Sequence, residues 1–506
     1  MLSLPRLTPS ARATAIGIVI AAAALRLWNT DAGIPYAVGA DEPQVMNRVS
    51  AMMKTGDFNP HFFDWPTLTF YLHLVVACLT FLAGAMRGAW SSLDQVSAPE
   101  LYLTARQFSA LLGAATVAVT FAAARRWGTG VALAAAGLMA VLPPHVRESH
   151  YVLTDVPTSL FTVIALLMAL RAFERQTTAS WCWAGLAVGL AASCKYNGAI
   201  AVVMPVVAIL AAGGGAAVML SRLLIVGGML VAGFLAGTPY AVLDLPTFLN
   251  DYARLAANFA RERGGDPGWS IYLKHLVHSM AWPAFLAALA GGVVAVRDGV
   301  LGPSRARAWM LLAFAATYFT VMARSYQIYG RYMLPLYPVL CILAAIAIGE
   351  LVRRVQRVPG MRDRRRWVAA AAVIAVLAVP VVKAVDFNVT LGRPSTVDLA
   401  VQWLYQHAPQ GSKVAIEAGA LHLPPQFATL GVHRLTQRNR EDYLAEGVRY
   451  LLAASPEFQN SLLDPNRDRA VHTAYLQLLG GLPEVAAFDP GPTVAGPAIR
   501  IFELVK

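Results

Sequence analysis

Eleven apolar segments dominate this chain of 506 residues and favour a bundle of membrane helices over any soluble fold. A helix needs about 20 predominantly apolar residues to cross the hydrocarbon core of a bilayer. Only 14% of the residues are charged, against about 25% in soluble domains, which excludes an ordinary soluble enzyme. The predicted spans lie near 13–30, 105–124, 131–144, 156–172, 181–195, 198–213, 222–238, 276–296, 308–323, 333–349 and 367–387.

The arginines predict the orientation of these spans. With a cytoplasmic N-terminus and eleven spans, the dense arginine run within 353–366 falls on the cytoplasmic side. The same holds for Arg6, Arg12, Arg125, Arg126, Arg171, Arg175, Arg222, Arg297, Arg305 and Arg307. The formal net charge of +12 is then a topology signal, and no nucleic-acid partner is expected. A patch for lipid phosphates is the alternative interpretation of the run at 353–366.

The apolar segment 66–86 competes with this topology. Hydropathy alone would make it a twelfth span, and the run at 353–366 would then face outward. We therefore predict that 66–86 is an amphipathic or half-embedded helix at the outer surface.

The chain is predicted to contain two domains. Residues 1–387 form the transmembrane domain, with a large first outer loop at 31–104, and residues 388–506 form an extracytoplasmic α/β domain. In this tail Val414–Ile416, Tyr450–Leu452 and Ile499–Phe502 resemble short strands, and Thr396–Gln406 has a helical apolar period. The predicted fold class is mainly α, a polytopic bundle of about eleven spans with a small C-terminal α/β domain.

Three acidic positions stand just before a proline at a predicted helix start. They are the pair Asp41 and Glu42, then Asp64, then Asp155. Capping of the helix is one interpretation, because Asp is a favoured N-cap and Pro a favoured first helical residue. Asp41 follows the first span at the depth of a lipid head group, where a carboxylate could accept a proton from an incoming hydroxyl.

Cations at the outer ends of apolar segments are the second group of candidates, since such charges are costly in a membrane. Lys195 lies in an apolar setting, Arg331 begins the tenth span, and Lys274 and His278 flank the start of the eighth. The alternatives remain that Lys195 extends to the interface, that Arg331 pairs with a loop carboxylate, and that His278 is structural.

These motifs, taken in order, resemble the C-type glycosyltransferases of family 39, which include the protein O-mannosyltransferases and the lipid A aminoarabinose transferases. The resemblance spans nearly the whole chain. It rests on Asp41-Glu42 after the first span, Gly56–Pro60, Pro66–Leu72, Ser149–Tyr151, Asp155–Pro157, Gly189-Leu190, Lys195–Asn197, Gly237–Tyr240, Arg331–Leu336, Gly447–Leu451 and Ile501-Phe502.

The resemblance implies a sugar donor built on polyprenyl phosphate and used outside the cytoplasmic membrane of a bacterium. The acceptor there is a glycan, a lipid or a protein. Asp41 would be the general base, and Glu42 would orient it or the acceptor. The implied donor-binding residues are Lys195, Arg331, Asp155, His150, Tyr196, Tyr71, Lys274 and His278.

Several alternatives stay open. No cofactor is firmly expected, although a divalent metal held by Asp41, Asp155 and His150 is one alternative. The loop Arg261–Asp266 is either a lid over the acceptor or an ordinary solvated loop. A transporter or flippase of a lipid-linked saccharide is the competing function, and a scaffold that binds a partner through its tail is a third.

Overall fold

The computed structural model describes residues 6–39, 41–96, 98–261, 266–301, 305–358, 364–417, 423–424, 426–455, 458 and 469–504. The chain divides into two compact units. The first comprises Met1–Thr30 and Gln44–Phe387, and the second comprises Asp31–Pro43 and Asn388–Lys506. Most of the predicted lid, at 262–265, and the middle of the arginine run, at 359–363, lie outside the described residues.

The first unit is helical. Its helices are α1 (Pro9–Leu27), α2 (Glu42–Thr55, whose first two residues belong to the second unit), α3 (Leu68–Met86), α4 (Ala98–Ala124), α5 (Thr129–Ala140), α6 (Pro143–Glu148), α7 (Asp155–Arg175), α8 (Thr178–Cys194), α9 (Val203–Ala212), α10 (Ala216–Gly237), α11 (Tyr240–Leu243), α12 (Leu245–Ala260), α13 (Gly268–Leu301), α14 (Arg305–Ala323), α15 (Tyr337–Arg357) and α16 (Arg365–Leu391, whose residues from Asn388 on belong to the second unit). Two 3-10 turns, Tyr196–Val202 and Gly330–Leu336, precede α9 and α15.

Within the described residues, nine helices are long and apolar enough to cross a membrane. Eight of them coincide with predicted spans, and the ninth is α3. The other three predicted spans correspond to the shorter apolar helices Thr129–Ala140, Thr178–Cys194 and Tyr196–Ala212. The prediction of a mainly helical, multi-pass membrane bundle is therefore confirmed.

Helix α3 lies at one end of this bundle. Thr67, its N-cap, donates a hydrogen bond to the carbonyl of Gly237, where α10 ends. Farther along, Thr80 donates to Thr104 in the first third of α4. Helix α3 has the length and hydropathy of a span, and its half-embedded placement at the outer surface stays a prediction.

Small residues bring α8 and α10 together. A Cβ atom added at Gly189 would overlap the carbonyl of Leu230, and one added at Gly185 would overlap that of Val226. In an apolar bilayer, such close backbone approach allows the dispersion contacts that hold helices together. This packing fixes the end of α8, where Lys195 follows.

The second unit contains a five-stranded sheet. Its strands are β1 (Lys413–Glu417), β2 (Ala428–Val432), β3 (Val448–Ala454), β4 (Glu484–Phe488) and β5 (Ile499–Glu503), in the order β2-β1-β3-β5-β4. Strands β2, β1 and β3 are parallel, while β5 and β4 are antiparallel to their neighbours. The accompanying helices are α17 (Thr396–His407), α18 (Arg440–Ala445) and α19 (Arg469–Leu479).

Residues 31–43 pack with this second unit, although the sequence placed them in the transmembrane domain. Tyr36 and Ala37 are partly buried against a core that includes Val397 and Leu404 of α17 and Ile416 of β1. The apolar surface of Tyr36 is removed from water there, which accounts for the association. The last boundary between the two units falls between Phe387 and Asn388.

Candidate active site

One buried carboxylate gathers two cations in the first unit. Asp155, the first residue of α7, accepts a hydrogen bond from Lys195 Nζ at 2.7 Å through its Oδ1. Its Oδ2 lies 3.8 Å from Arg331 Nε. Lys195 is the C-cap residue of α8, and Arg331 belongs to the turn Gly330–Leu336 before α15. The ends of three helices therefore meet at these charges.

This cluster is largely withdrawn from solvent. The exposed fractions of the side chains are 4% for Asp155, 15% for Lys195 and 24% for Arg331. Charges removed from water are tolerated when partners compensate the lost hydration. Lys195 has a second stabilising contact, since its Nζ lies 4.1 Å from the centre of the Tyr332 ring.

Hydrogen bonds fix the turn that carries Arg331. Tyr318 donates to the carbonyl of Tyr332 at 2.7 Å, and Asn197 donates to the Tyr318 hydroxyl at 2.9 Å. Ser159 donates to the carbonyl of Leu334 at 3.1 Å. The turn is thus held by α7, by α14 and by the turn that follows Lys195.

A cavity of about 450 Å³ opens beside Lys195. Its wall combines groups that hydrogen-bond with aromatic and aliphatic surface. The polar lining residues are Asp64, Lys195, Asn197, Asn258, Ser325 and Gln327, the aromatic ones are Trp65, Tyr196, Tyr252, Phe259 and Tyr332, and the rest are Ile200, Leu255, Val321 and Met322. A mixed lining of this kind suits a ligand with a hydroxylated and an apolar part.

Asp64 belongs to an ion-pair network on this wall. Arg254 of α12 donates to Asp64 at 2.6 Å and lies 3.1 Å from Asp251. Asp251 in turn accepts from the backbone N–H of Phe63 at 2.9 Å. Capping is therefore the wrong interpretation for Asp64, because the N-cap of α3 is Thr67.

Asp155 is likewise not a cap, since the N-cap of α7 is Thr154. Being one position further on, Asp155 lies within the first turn of α7. Its carboxylate contacts Lys195 and Arg331 and does not cap the helix.

His150 and Tyr71 lie apart from the cavity. His150 is buried, and its ring nitrogens lie 2.8 Å from the carbonyl of Val146 and 3.0 Å from that of Trp28. Tyr71 donates to the carbonyl of Phe58 at 3.1 Å. Tyr196, by contrast, lines the cavity and donates to the carbonyl of Phe63 at 2.7 Å.

Lys274 and His278 are not gathered with Lys195. They border a separate cavity between α13 and α16, together with Lys383. The sequence grouped them with the donor site because they begin a span on the same side. In the structure, Lys195 and Arg331 lie beside Asp155, whereas Lys274 and His278 line the other cavity.

Asp41 and Glu42 belong to the second unit. Glu42 is fully buried, and its Oε2 accepts a hydrogen bond from the backbone N–H of Gly39 at 2.6 Å. Its own N–H donates to the carbonyl of Gly39 at 3.0 Å. Glu42 thus closes the turn that carries Asp41, whose side chain is half-buried. Among the described residues, no group of three His, Cys, Asp or Glu is placed to hold a metal ion.

Sequence reasoning missed a second buried cation. Arg26, near the end of α1, is fully buried and donates to the carbonyls of Ala22, Met139 and Ala140. Its Nη2 also lies 3.1 Å from His145 Nδ1. An arginine in the last turn of an apolar span was the available signal.

Near it, α6 carries a buried acid outside the candidate spans. Burial raises the pKa of Glu148 above its ordinary value of 4.5, although the adjacent Arg147 guanidinium, at 2.5 Å, opposes the shift. Glu148 thus holds its proton more tightly in the folded protein than in the unfolded chain.

The fold is the one that C-type membrane glycosyltransferases share, and the resemblance inferred from the sequence is confirmed at that level. Residues 46–213 match the family model described as dolichyl-phosphate-mannose-protein mannosyltransferase. Among curated proteins, no sequence matches the chain.

Solved structures share the fold at low sequence identity. The chain is similar to ArnT from Cupriavidus metallidurans bound to undecaprenyl phosphate, with a TM-score of 0.56 and 15% identity over 97% of each chain. It is also similar to the archaeal oligosaccharyltransferase AglB from Archaeoglobus fulgidus in complex with an inhibitory peptide and a dolichol-phosphate. There the TM-score is 0.59 at 14% identity, over 97% of this chain and 74% of that one.

Proposed function

We propose that this chain is a membrane glycosyltransferase that moves a sugar from a polyprenyl-phosphate donor to an acceptor outside a bacterial cytoplasmic membrane. The observation that carries the proposal is the convergence of Lys195 and Arg331 on Asp155. Lys195 lines the cavity, and Arg331 lies beside the same carboxylate. Positive charge at this place is what a departing lipid phosphate requires.

In the proposed reaction, the acceptor attacks the anomeric carbon of the donor sugar. A new bond forms there, and the bond from that carbon to the phosphate oxygen breaks. Polyprenyl phosphate leaves with the bonding electrons, and Lys195 and Arg331 stabilise its added negative charge. Asp41 takes the proton of the acceptor, in the role that the resemblance implies for it.

Asp155 has a distinct task in this scheme. Without the donor, two neighbouring cations would repel each other, and the carboxylate compensates that repulsion. When the phosphate arrives, it adds further negative charge on the other side of the cations. Asp155 therefore sets the positions of Lys195 and Arg331 before binding, so that little reorganisation is needed during the reaction.

The cavity offers surfaces for both parts of such a donor. Asn197, Asn258 and Gln327 provide amide groups for sugar hydroxyls. Leu255 and Phe259 provide apolar surface for the first prenyl units. Two similar structures hold undecaprenyl phosphate and dolichol-phosphate, which supports a lipid-linked phosphate as the ligand of this chain.

The decisive experiment measures donor binding and transfer separately. The purified protein in lipid vesicles would be titrated with undecaprenyl phosphate and assayed with labelled polyprenyl-phosphate sugars. We expect Lys195→Met and Arg331→Met to weaken binding and to slow transfer. Arg175→Met removes an exposed arginine at the opposite end of α7 and is the matched control.

A transporter would give a different result in this experiment. A flippase would move the intact lipid-linked sugar between leaflets without releasing polyprenyl phosphate. Translocation of intact donor with no cleavage of the sugar–phosphate bond would overturn the proposal. Undiminished undecaprenyl phosphate binding by both methionine variants would overturn the assignment of the cations.

A further inference from the structure

A second cavity, of about 450 Å³, lies between α13 and α16 and carries its own positive charge. Lys274 and His278 come from α13, and Lys383 comes from α16. Within the described part of the chain, no acidic side chain lines it. The donor site and this cavity share no lining residue.

The cavity lies at the same end of the bundle as the donor site. Lys274 is in the first two turns of α13, and the neighbouring His275 approaches Gly330, the residue before Arg331. Lys383 is in the last third of α16. A lysine inside an apolar span of this kind marks a functional site by default, because its charge is costly in hydrocarbon.

A break in α13 shapes the cavity. Ala281 has a φ of 62°, a left-handed value that a residue with a side chain rarely adopts, and Pro283 follows it. Lys383 Nζ donates to the carbonyl of His278 at 2.7 Å, beside this break. This bond uses one of the three N–H groups of the ammonium. Lys383 can therefore stabilise the break and also donate to a ligand.

The surroundings are those of a site that opens toward lipid. Trp282, directly after the break in α13, is 62% exposed. Leu286 and Leu289 on α13 and Val382 on α16 are exposed apolar side chains of the two helices that border the cavity. Lys274 is paired with Asp266 at 3.3 Å, but both are exposed, and such pairs contribute little.

We propose that the cavity between α13 and α16 binds the phosphate of an anionic phospholipid of the surrounding membrane. The phosphate contacts Lys274 and Lys383, and the acyl chains follow the exposed apolar faces of α13 and α16. A phospholipid fits better than a second polyprenyl phosphate because its two chains match two apolar helix faces. This site is independent of the proposed transfer reaction, because it uses none of the residues of the donor site.

The test titrates the purified full-length protein in detergent and follows binding by native mass spectrometry. Three lipids are compared, namely phosphatidylglycerol, phosphatidylcholine with the same acyl chains, and undecaprenyl phosphate. The variants are Lys274→Gln and Lys383→Gln, and the control is Lys54→Gln, which removes an exposed lysine of α2.

We expect the wild type to prefer phosphatidylglycerol over phosphatidylcholine. Each cavity variant should bind phosphatidylglycerol about fivefold more weakly, the usual contribution of one lysine near an anionic lipid. The control should bind it like the wild type. Undecaprenyl phosphate binding should not change in any variant, since its proposed site is elsewhere.

Three results would overturn the proposal. They are equal affinity of the wild type for the two phospholipids, wild-type affinity in Lys274→Gln, and a loss confined to undecaprenyl phosphate. Lys383→Gln removes the bond to the His278 carbonyl and could unfold α13 locally. Lys274→Gln, at an exposed position, is therefore the variant that decides.

Discussion

Asp155 and Lys195 are 40 residues apart in sequence, yet their side chains meet at 2.7 Å because they occupy the open end of one helical hairpin. Asp155 begins α7, and Lys195 directly follows the end of α8. The two helices are antiparallel and joined by a short connection, so their distant ends return to the same level. The antiparallel packing of α7 and α8 therefore brings the two partners of this ion pair together.

Removing either partner of this pair should cost stability. Asp155→Asn leaves the Lys195 ammonium without its buried counter-charge, and we expect a loss of about 3 kcal/mol. That is the lower end of the range for breaking a buried pair, since Lys195 keeps some contact with water. Thermal or chemical unfolding of the detergent-solubilised protein would measure the loss.

The double variant Asp155→Leu with Lys195→Met separates stability from function. An apolar pair of similar volume often restores the stability that a single substitution removes. Because Arg331 also loses Asp155, we expect this protein to recover most, but not all, of the stability lost in Asp155→Asn. It should transfer sugar at least about a hundredfold more slowly than the wild type, in line with loss of electrostatic stabilisation. Full transfer activity in the stable double variant would rule out Lys195 as a partner of the leaving phosphate.

Asp41→Asn should abolish sugar transfer while the protein still folds. Loss of a general base typically lowers the rate by about 10²–10⁴-fold, and Asn caps a helix about as well as Asp. Transfer would be measured at saturating donor, with Asp57→Asn as control because Asp57 is an exposed acid of the same outer segment. Retention of more than about a tenth of the wild-type rate would leave Asp41 with a capping role only.

The predicted orientation places the N-terminus and the run at 353–366 in the cytoplasm and the tail outside. Reporter fusions at residues 360 and 450 should therefore report opposite sides of the membrane. Because the arginine distribution is the basis of this orientation, the same side for both fusions would contradict the eleven-span topology.

Glu148 should make stability depend on pH in a defined direction. Its pKa is raised in the folded protein by burial, so the folded state binds the proton more tightly. The resulting stabilisation is complete below the ordinary pKa of 4.5 and is lost as the pH rises through the folded value. The unfolding temperature of the wild type relative to Glu148→Gln should therefore fall from pH 4 upward, and a difference that grows with pH would refute the shift.

Hydropathy and helix-end signals predicted the elements that carry Asp155, Lys195 and Arg331, because long apolar periods are local features of the sequence. The same holds for β1, β3 and β5, whose apolar side chains are mostly buried. Strands β2 and β4 were missed because they are edge strands with largely exposed or half-exposed side chains. Edge strands of this kind lack the apolar pattern that identifies a core strand.

The separation of Lys274 and His278 from Lys195 could not be predicted, since it depends on the break at Ala281 and on which cations Asp155 attracts. Nothing local to Tyr36 indicates its association with the second unit, because that contact joins segments more than 350 residues apart. Long-range packing of this type produces no periodic pattern of apolar residues in the sequence.

The grouping of residues 31–43 with the tail changes how the two units can be exchanged between related proteins. A deletion that ends the chain at residue 387 removes the core against which Tyr36 and Ala37 pack, and with it the support of the segment that carries Asp41. A chimera that imports a foreign tail must import the matching segment 31–43 as well. The part that must be exchanged therefore consists of two separate segments, 31–43 and 388–506, and the acidic pair Asp41 and Glu42 belongs to it.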